Sequence, residues 1–155
     1  MKPLEIYRKV KELETFDIFE LYRQKGISIF HKPELFVHSN TDARIITNIY
    51  GRTVVFLNMR SGENPFYEHF LLWHEYGHYL FNEMAIQPQK FTRSEQGKLI
   101  EVDSNIFAFF GLSNSAGSIH TAEGGRKHLG IPEDVLETVM TKLTTDQEFV
   151  DYMNR

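Results

Sequence analysis

The chain contains 155 residues, of which 41% are hydrophobic and 14% aromatic, and its formal net charge is −4. This length and apolar content predict one compact domain and exclude a disordered chain. The negative charge excludes the basic footprint of a nucleic-acid-binding protein, and the absence of cysteine excludes disulfides and thiolate metal ligands.

We expect neither a membrane span nor a signal peptide in this sequence. No stretch approaches the roughly 18 consecutive apolar residues of a membrane span. The first residues, Met1 to Glu5, lack the apolar core of a signal peptide. A cysteine-free composition also fits a reducing compartment. We therefore expect a cytoplasmic protein with no membrane partner.

The first third of the chain predicts helices followed by a small sheet. Residues 3–25 form one or two helices, with Thr15 as a cap between them and Gly26 as the stop. The candidate strands that follow are Ile27 to Phe30, Arg44 to Ile49 and Thr53 to Leu57. Residues 50–52 would join the last two strands as a hairpin.

The most informative segment is His74-Glu75-Tyr76-Gly77-His78, an H-E-x-x-H pattern within a predicted helix. Residues four apart lie one turn above each other on one face, so His74 and His78 can bind one ion. Glu75 lies about 100° round the helix and can reach toward a metal-bound water. The pattern indicates a metal-dependent hydrolase with Glu75 as the general base.

The flanks of this motif are apolar on most sides. The residues that recur there at helical spacing are Phe66, Phe70, Trp73, Gly77 and Phe81. They predict a largely buried helix, in which two histidines and a glutamate are costly unless they are paired or bind a metal. Glycine inside a helix costs about 1 kcal/mol relative to alanine, so Gly77 predicts that another element packs closely there.

A third protein ligand is needed, because a catalytic zinc site usually has three ligands and one open position. In this chain it must be His, Asp or Glu, and the best source is the predicted helix within residues 94–110. Glu101 and Asn105 share one stripe of that helix. We assign Glu101 as the third ligand and Asn105 as the residue that hydrogen-bonds a ligand and holds it in place. Asp103 lies roughly 200° from Glu101 and cannot face the same ion.

The remainder of the chain predicts a loop and then helices. Residues 113–125 are rich in Gly and Ser and predict a long loop at the rim of the site. A helix is predicted to begin at Ile131-Pro132 and to end near Leu143, and Thr145 to Glu148 cap a last one. The predicted fold class is α+β, with helices dominant and a small sheet in the N-terminal half.

The segments 74–78 and Glu101-x-x-x-Asn105-x-Phe107-Ala108 together resemble the ImmA/IrrE family of zinc metallopeptidases. They are similar to that family's H-E-[LY]-G-H helix and to its second helix, in which the first Glu is the third metal ligand. The strand before the motif and the segment 21–29 also resemble the family, so the match covers about residues 15–110. The resemblance implies a zincin-like metallopeptidase domain with Glu101 as a ligand.

The chain departs from the family pattern in two places. Ser104 stands where the family usually has Ala. After Ala108 the family continues into a Leu-rich stretch ending in Met-Pro, whereas this chain reads Phe109-Phe110-Gly111-Leu112-Ser113-Asn114. We therefore treat residues 1–155 as one domain, with a metal-binding core in residues 1–112 and a loop plus helical part in residues 113–155.

The expected mechanism uses Zn²⁺ held by His74, His78 and Glu101, although Mn²⁺ or Fe²⁺ suits the same ligands. The metal lowers the pKa of its water, and Glu75 takes the proton and later delivers it to the leaving amine. The strand Thr53 to Leu57 would pair with an extended substrate if it edges the cleft. Oxyanion charge needs a further donor, and the available candidates are Tyr76, Tyr79, Arg126 and His120, of which we favour His120 in the long loop.

The resemblance implies a selective intracellular endopeptidase. Members of similar size are phage or mobile-element proteins that cleave a cognate repressor, or stress-response proteases that act on a transcriptional regulator. The expected partner is therefore a protein substrate, with no direct contact to nucleic acid.

Two alternatives stay open. In the first, the metal site is non-catalytic and the protein is a binding module that docks on a partner like an anti-repressor. An intact Glu75 disfavours it, because a structural site needs no general base. In the second, the same motif hydrolyses a non-peptide amide.

Overall fold

The computed structural model describes residues 1–81, 95–115 and 130–155. The helices in these ranges are α1 (Pro3–Lys11), α2 (Ile18–Lys25), α3 (Pro65–Phe81), α4 (Glu95–Ser115), α5 (Glu133–Thr144) and α6 (Gln147–Met153). The strands are β1 (Ile27–His31), β2 (Ala43–Ile49) and β3 (Arg52–Leu57), and a 3-10 turn, Pro33–Phe36, follows β1. The fold is α+β and rich in helix, as predicted. Among the helices of these ranges, none is both long and apolar enough to cross a membrane.

The two N-terminal helices are separated by a polar cap. The Oδ1 atom of Asp17 accepts hydrogen bonds from the backbone N–H groups of Phe19 at 3.0 Å and Glu20 at 3.3 Å. The predicted cap at Thr15 is therefore wrong, since its hydroxyl instead accepts from the N–H of Asp17. Helix α2 ends at Gly26 with φ of 69°, a left-handed conformation that glycine adopts without strain, and this stop is confirmed.

The sheet has the strand order β1-β3-β2, with β1 parallel and β2 antiparallel to β3. Ile49 pairs with Arg52 across a two-residue turn, and Tyr50 and Gly51 both have positive φ, 52° and 77°. This geometry matches the right-handed twist of a tight hairpin, so the predicted hairpin is confirmed. The central strand is β3, with Val55 and Leu57 fully buried. Both edges of β3 are paired, so the edge position that it would need in order to pair with a substrate is not met.

Helix α3 is the most buried element of the fold. Every residue from Phe70 to His78 is buried, as the apolar flanks predict. Phe66 is an exception, being 57% exposed in the first turn. A Cβ atom added to Gly77 would lie 3.2 Å from Cδ1 of Phe107 on α4, so the close packing predicted at this glycine is present.

Helix α4 approaches α3 closely along its length. A Cβ atom added to Gly111 would lie only 2.3 Å from Cε3 of Trp73, so only glycine permits this spacing. Trp73 and Phe107 are fully buried between the two helices. This interface fixes the separation of the two helices that carry the candidate ligands.

Helices α5 and α6 close the fold against α1 and α4. The ring of Tyr7 meets those of Phe110 and Phe149 edge to face at centroid distances of 5.2 and 6.3 Å. Asp146 caps α6 through its carboxylate, which accepts from the N–H of Phe149 at 2.9 Å. Helix α4 continues to Ser115, so the predicted start of the loop at residue 113 is wrong. The division at residue 112 stays a prediction.

Candidate metal centre

Helices α3 and α4 bring two imidazoles and one carboxylate to a single point. Nε2 of His74 lies 2.9 Å from Oε2 of Glu101, and Nε2 of His78 lies 3.0 Å from Oε1 of the same carboxylate. The two Nε2 atoms are 3.1 Å apart. The convergence expected from the four-residue spacing and from the second helix is therefore present.

These separations fit a common divalent ion. Zinc binds imidazole nitrogen and carboxylate oxygen at about 2.0–2.2 Å, so two of its ligand atoms at the tetrahedral angle lie about 3.3 Å apart. The two Nε2 atoms are about 0.2 Å short of that spacing, and each of them contacts a different oxygen of the Glu101 carboxylate. His74, His78 and Glu101 could therefore hold a metal ion.

Asn105 orients the first of the two imidazoles. Its Oδ1 atom lies 2.7 Å from Nδ1 of His74. An oxygen acceptor at this position keeps the proton on Nδ1 and leaves the lone pair of Nε2 for a metal, which is how outer residues set the tautomer of a ligating histidine. The contact expected between Asn105 and a ligand is thus present. Nδ1 of His78, by contrast, is buried and has no hydrogen-bond partner within the described ranges.

The protonation of the cluster is strongly coupled. Burial opposes charge on His74, but the hydrogen bond to Glu101 and the charges of Glu101 and Glu75 outweigh it and raise the pKa of His74 to about 9. Burial also disfavours the Glu101 carboxylate, yet its hydrogen bonds to His74 and His78 lower its pKa well below the ordinary value. Contacts to the Glu101 carboxylate therefore favour a charged His74 in the metal-free chain.

Glu75 is buried, with 5% of its surface exposed, between two ligands on the same helix. Burial raises its pKa above the ordinary value, while the charges of His74 and His78 act in the opposite direction. The backbone of Ile45 on β2 also lowers the pKa through a hydrogen bond to this carboxylate. A carboxylate with a raised pKa beside a metal site has the chemistry of a general base.

The centre is buried on one side and open on the other. His74 and His78 have side chains that are 9% and 3% exposed, whereas that of Glu101 is 51% exposed. Solvent therefore reaches the cluster from the side of α4. A site with three protein ligands and solvent access has room for a fourth, exchangeable ligand, which is typical of catalytic zinc.

Other residues considered from the sequence lie away from the centre or outside the described residues. Tyr76 is buried and its ring stacks on that of Tyr22 at 5.8 Å, so it packs in the core and cannot face an oxyanion. Asp103 accepts from the amino group of Met1 at 3.0 Å and takes no part in the cluster. His120 and Arg126 lie outside the described residues.

Two contacts of helix α3 have no signal in the sequence. The first is the approach of Ile45 to Glu75, which involves a backbone amide and depends only on where β2 lies. The second is a hydrogen-bonded pair between His31 at the end of β1 and Glu68 in the first turns of α3. Their separation along the chain gave no reason to pair them.

Comparisons of the chain with protein-family models, curated proteins and solved structures found no significant match. The geometry of the centre is accordingly the main support for any functional conclusion.

Proposed function

We propose that the chain is a zinc-dependent endopeptidase with a zincin-like domain of the ImmA/IrrE type. The observation that carries the proposal is the convergence of His74, His78 and Glu101 within 3.1 Å of one another, with buried Glu75 beside them. Two imidazoles, one carboxylate and access to solvent suit zinc, although Mn²⁺ or Fe²⁺ also binds such ligands.

The residues of the chain divide the chemistry between them. A zinc ion bound at this centre would supply a Lewis acid and a water of lowered pKa. Glu75 would accept a proton from the attacking water on its carboxylate and pass it to the leaving amine nitrogen. Burial raises the pKa of Glu75, which favours the protonated form needed in that second transfer. Asn105 keeps the His74 ring in place throughout.

The substrate would lie along β2 instead of β3. Of the two described edge strands, β1 and β2, it is β2 whose Ile45 backbone acts on Glu75. An extended peptide that adds to this free edge would pass the general base, as in other cases of strand addition. We infer from the resemblance of the two site helices that the substrate is a cognate transcriptional repressor or regulator in the cytoplasm.

The test compares the chain with its Glu75→Gln variant. Both proteins are purified, loaded with one equivalent of zinc and incubated with cell extract, and new peptide N-termini are labelled and sequenced by mass spectrometry. We expect a small set of cleavage sites for the wild-type chain, none for Glu75→Gln, and equal zinc content in both. Identical cleavage patterns for the two proteins would refute the proposed role of Glu75.

The same experiment separates the alternatives. A binding module would produce no cleavage, and it would capture the same partner with either protein. A hydrolase for small amides would cleave a panel of amide substrates and leave proteins intact. Either result would overturn the proposal of an endopeptidase.

A further inference from the structure

A groove of about 590 Å³ opens between the N-terminal and C-terminal helices, where α1, α4, α5 and α6 meet. Its apolar lining includes Tyr7, Phe109, Met140, Leu143, Val150 and Met153. Small-molecule sites typically have volumes of about 300–1,000 Å³ and mostly apolar walls. None of the three candidate metal ligands lines this groove, so it is separate from the metal centre.

The walls of the groove combine aromatic rings with flexible side chains. Met153 is 50% exposed, and Phe109 and Met140 are half-buried. A contiguous patch of exposed apolar side chains often marks a binding site. Methionine side chains are flexible and adapt to ligands of different shape.

One polar atom in the groove lacks a partner. Asn114 donates its amide N–H to the carbonyl of Phe110 at 2.7 Å, and Thr144 donates its hydroxyl to the carbonyl of Met140 at 2.8 Å. The hydroxyl of Ser113 is buried and has no hydrogen-bond partner in the part of the chain that the structure describes. A buried hydroxyl in this state favours a ligand that can form the missing hydrogen bond.

One cationic side chain, that of Lys11, contacts two residues that line the groove. The ammonium group of Lys11 donates to Oδ1 of Asn114 at 3.2 Å and lies 6.0 Å from the centre of the Tyr7 ring.

We propose that the groove binds a carboxylate amphiphile, a free molecule with an alkyl chain and one anionic end. The alkyl chain lies along the apolar walls, and the carboxylate faces the ammonium group of Lys11. The hydroxyl of Ser113, next to Asn114 on α4, is a second donor for the ligand. The proposal does not depend on the metal centre or on peptidase activity.

The test is isothermal titration of the full chain with octanoate, decanoate and dodecanoate below their micelle concentrations. Each buried methylene group contributes about 0.8 kcal/mol, so two further carbons should tighten binding about tenfold until the groove is full. Lys11→Gln should weaken binding of decanoate about two- to fivefold and leave binding of decanol unchanged, because exposed charge pairs are weak.

Two further variants distinguish a specific loss from a general one. Met153→Glu places a negative charge in the groove at a half-exposed position and should weaken decanoate binding at least about tenfold. Leu35→Glu makes the same change at a residue that is 60% exposed and lies outside the groove, and it should have no effect.

Several results would overturn the proposal. These are an affinity that does not depend on chain length, equal binding of decyltrimethylammonium, equal losses in Met153→Glu and Leu35→Glu, and binding only to anionic phospholipid vesicles. Retained binding in Glu75→Gln is expected, since that residue lies in the other site.

Discussion

The hydrogen bond between Asn105 and His74 offers the most direct test of the role of helix α4 in metal binding. Asn105→Ala removes the Oδ1 acceptor that lies 2.7 Å from Nδ1 of His74. Because His74 is only 7% exposed, its Nδ1–H would lose its partner in a buried place, and the ring could turn or move its proton to Nε2. Loss of such an outer contact typically weakens metal binding by about 10–100-fold, or about 1.4–2.7 kcal/mol.

The assay is competition for zinc against a chromophoric chelator at about pH 7.5. Asn105→Asp is the matched variant, because it keeps an oxygen acceptor for Nδ1 and should bind zinc at least as tightly as the wild type. Glu101→Ala removes a ligand and should lose more affinity than Asn105→Ala. Asp103→Ala, two residues from Glu101 but paired with Met1, should retain full affinity.

The reasoning is refuted if Asn105→Ala binds zinc as tightly as the wild type, or if Asp103→Ala loses as much affinity as Asn105→Ala. Thermal unfolding of each metal-free variant is the control for a general loss of structure.

Four further predictions concern protonation and packing. Zinc must displace a proton from His74, whose pKa is about 9 in the metal-free chain, so zinc affinity should keep rising up to about pH 9. Zinc titrations at several pH values measure this rise, and a plateau above pH 6.5 would contradict it. The same raised pKa stabilises the metal-free chain below pH 6.5, and this contribution should be lost in urea unfolding as pH rises through about 9. Gly111→Ala should lower the free energy of unfolding by about 1–2 kcal/mol, because the clash of its Cβ with Trp73 costs more than the gain in helix propensity contributes. Gly77→Ala should change the free energy of unfolding by less than about 1 kcal/mol. Equal effects of the two substitutions would argue against the clash. Ser104→Ala should stabilise the chain by about 1 kcal/mol, because the buried Ser104 hydroxyl has no partner among the described residues, and a loss of stability would indicate a hydrogen bond there.

Sequence patterns were sufficient where the relevant geometry is local. The spacing of His74 and His78 places both rings on one face of any α-helix, and the same rule places Glu101 and Asn105 on one stripe. Gly26 and Gly51 were informative for a similar reason, since each has a positive φ that glycine adopts without strain. These features depend on covalent geometry over a few residues and could be predicted without knowledge of the rest of the chain.

Only the tertiary structure decided how the elements lie against one another. The order of the strands puts β3 in the centre and leaves β2 beside Glu75, whereas the sequence left open whether β3 edges the cleft. Tyr76 could have faced the metal or the core, and its packing on Tyr22 puts it in the core. Asp17 caps α2 where Thr15 was predicted to do so, because the helix begins one residue after Asp17. Strand order and side-chain environment depend on contacts between residues far apart in the chain, which a local repeat of apolar and polar residues does not specify.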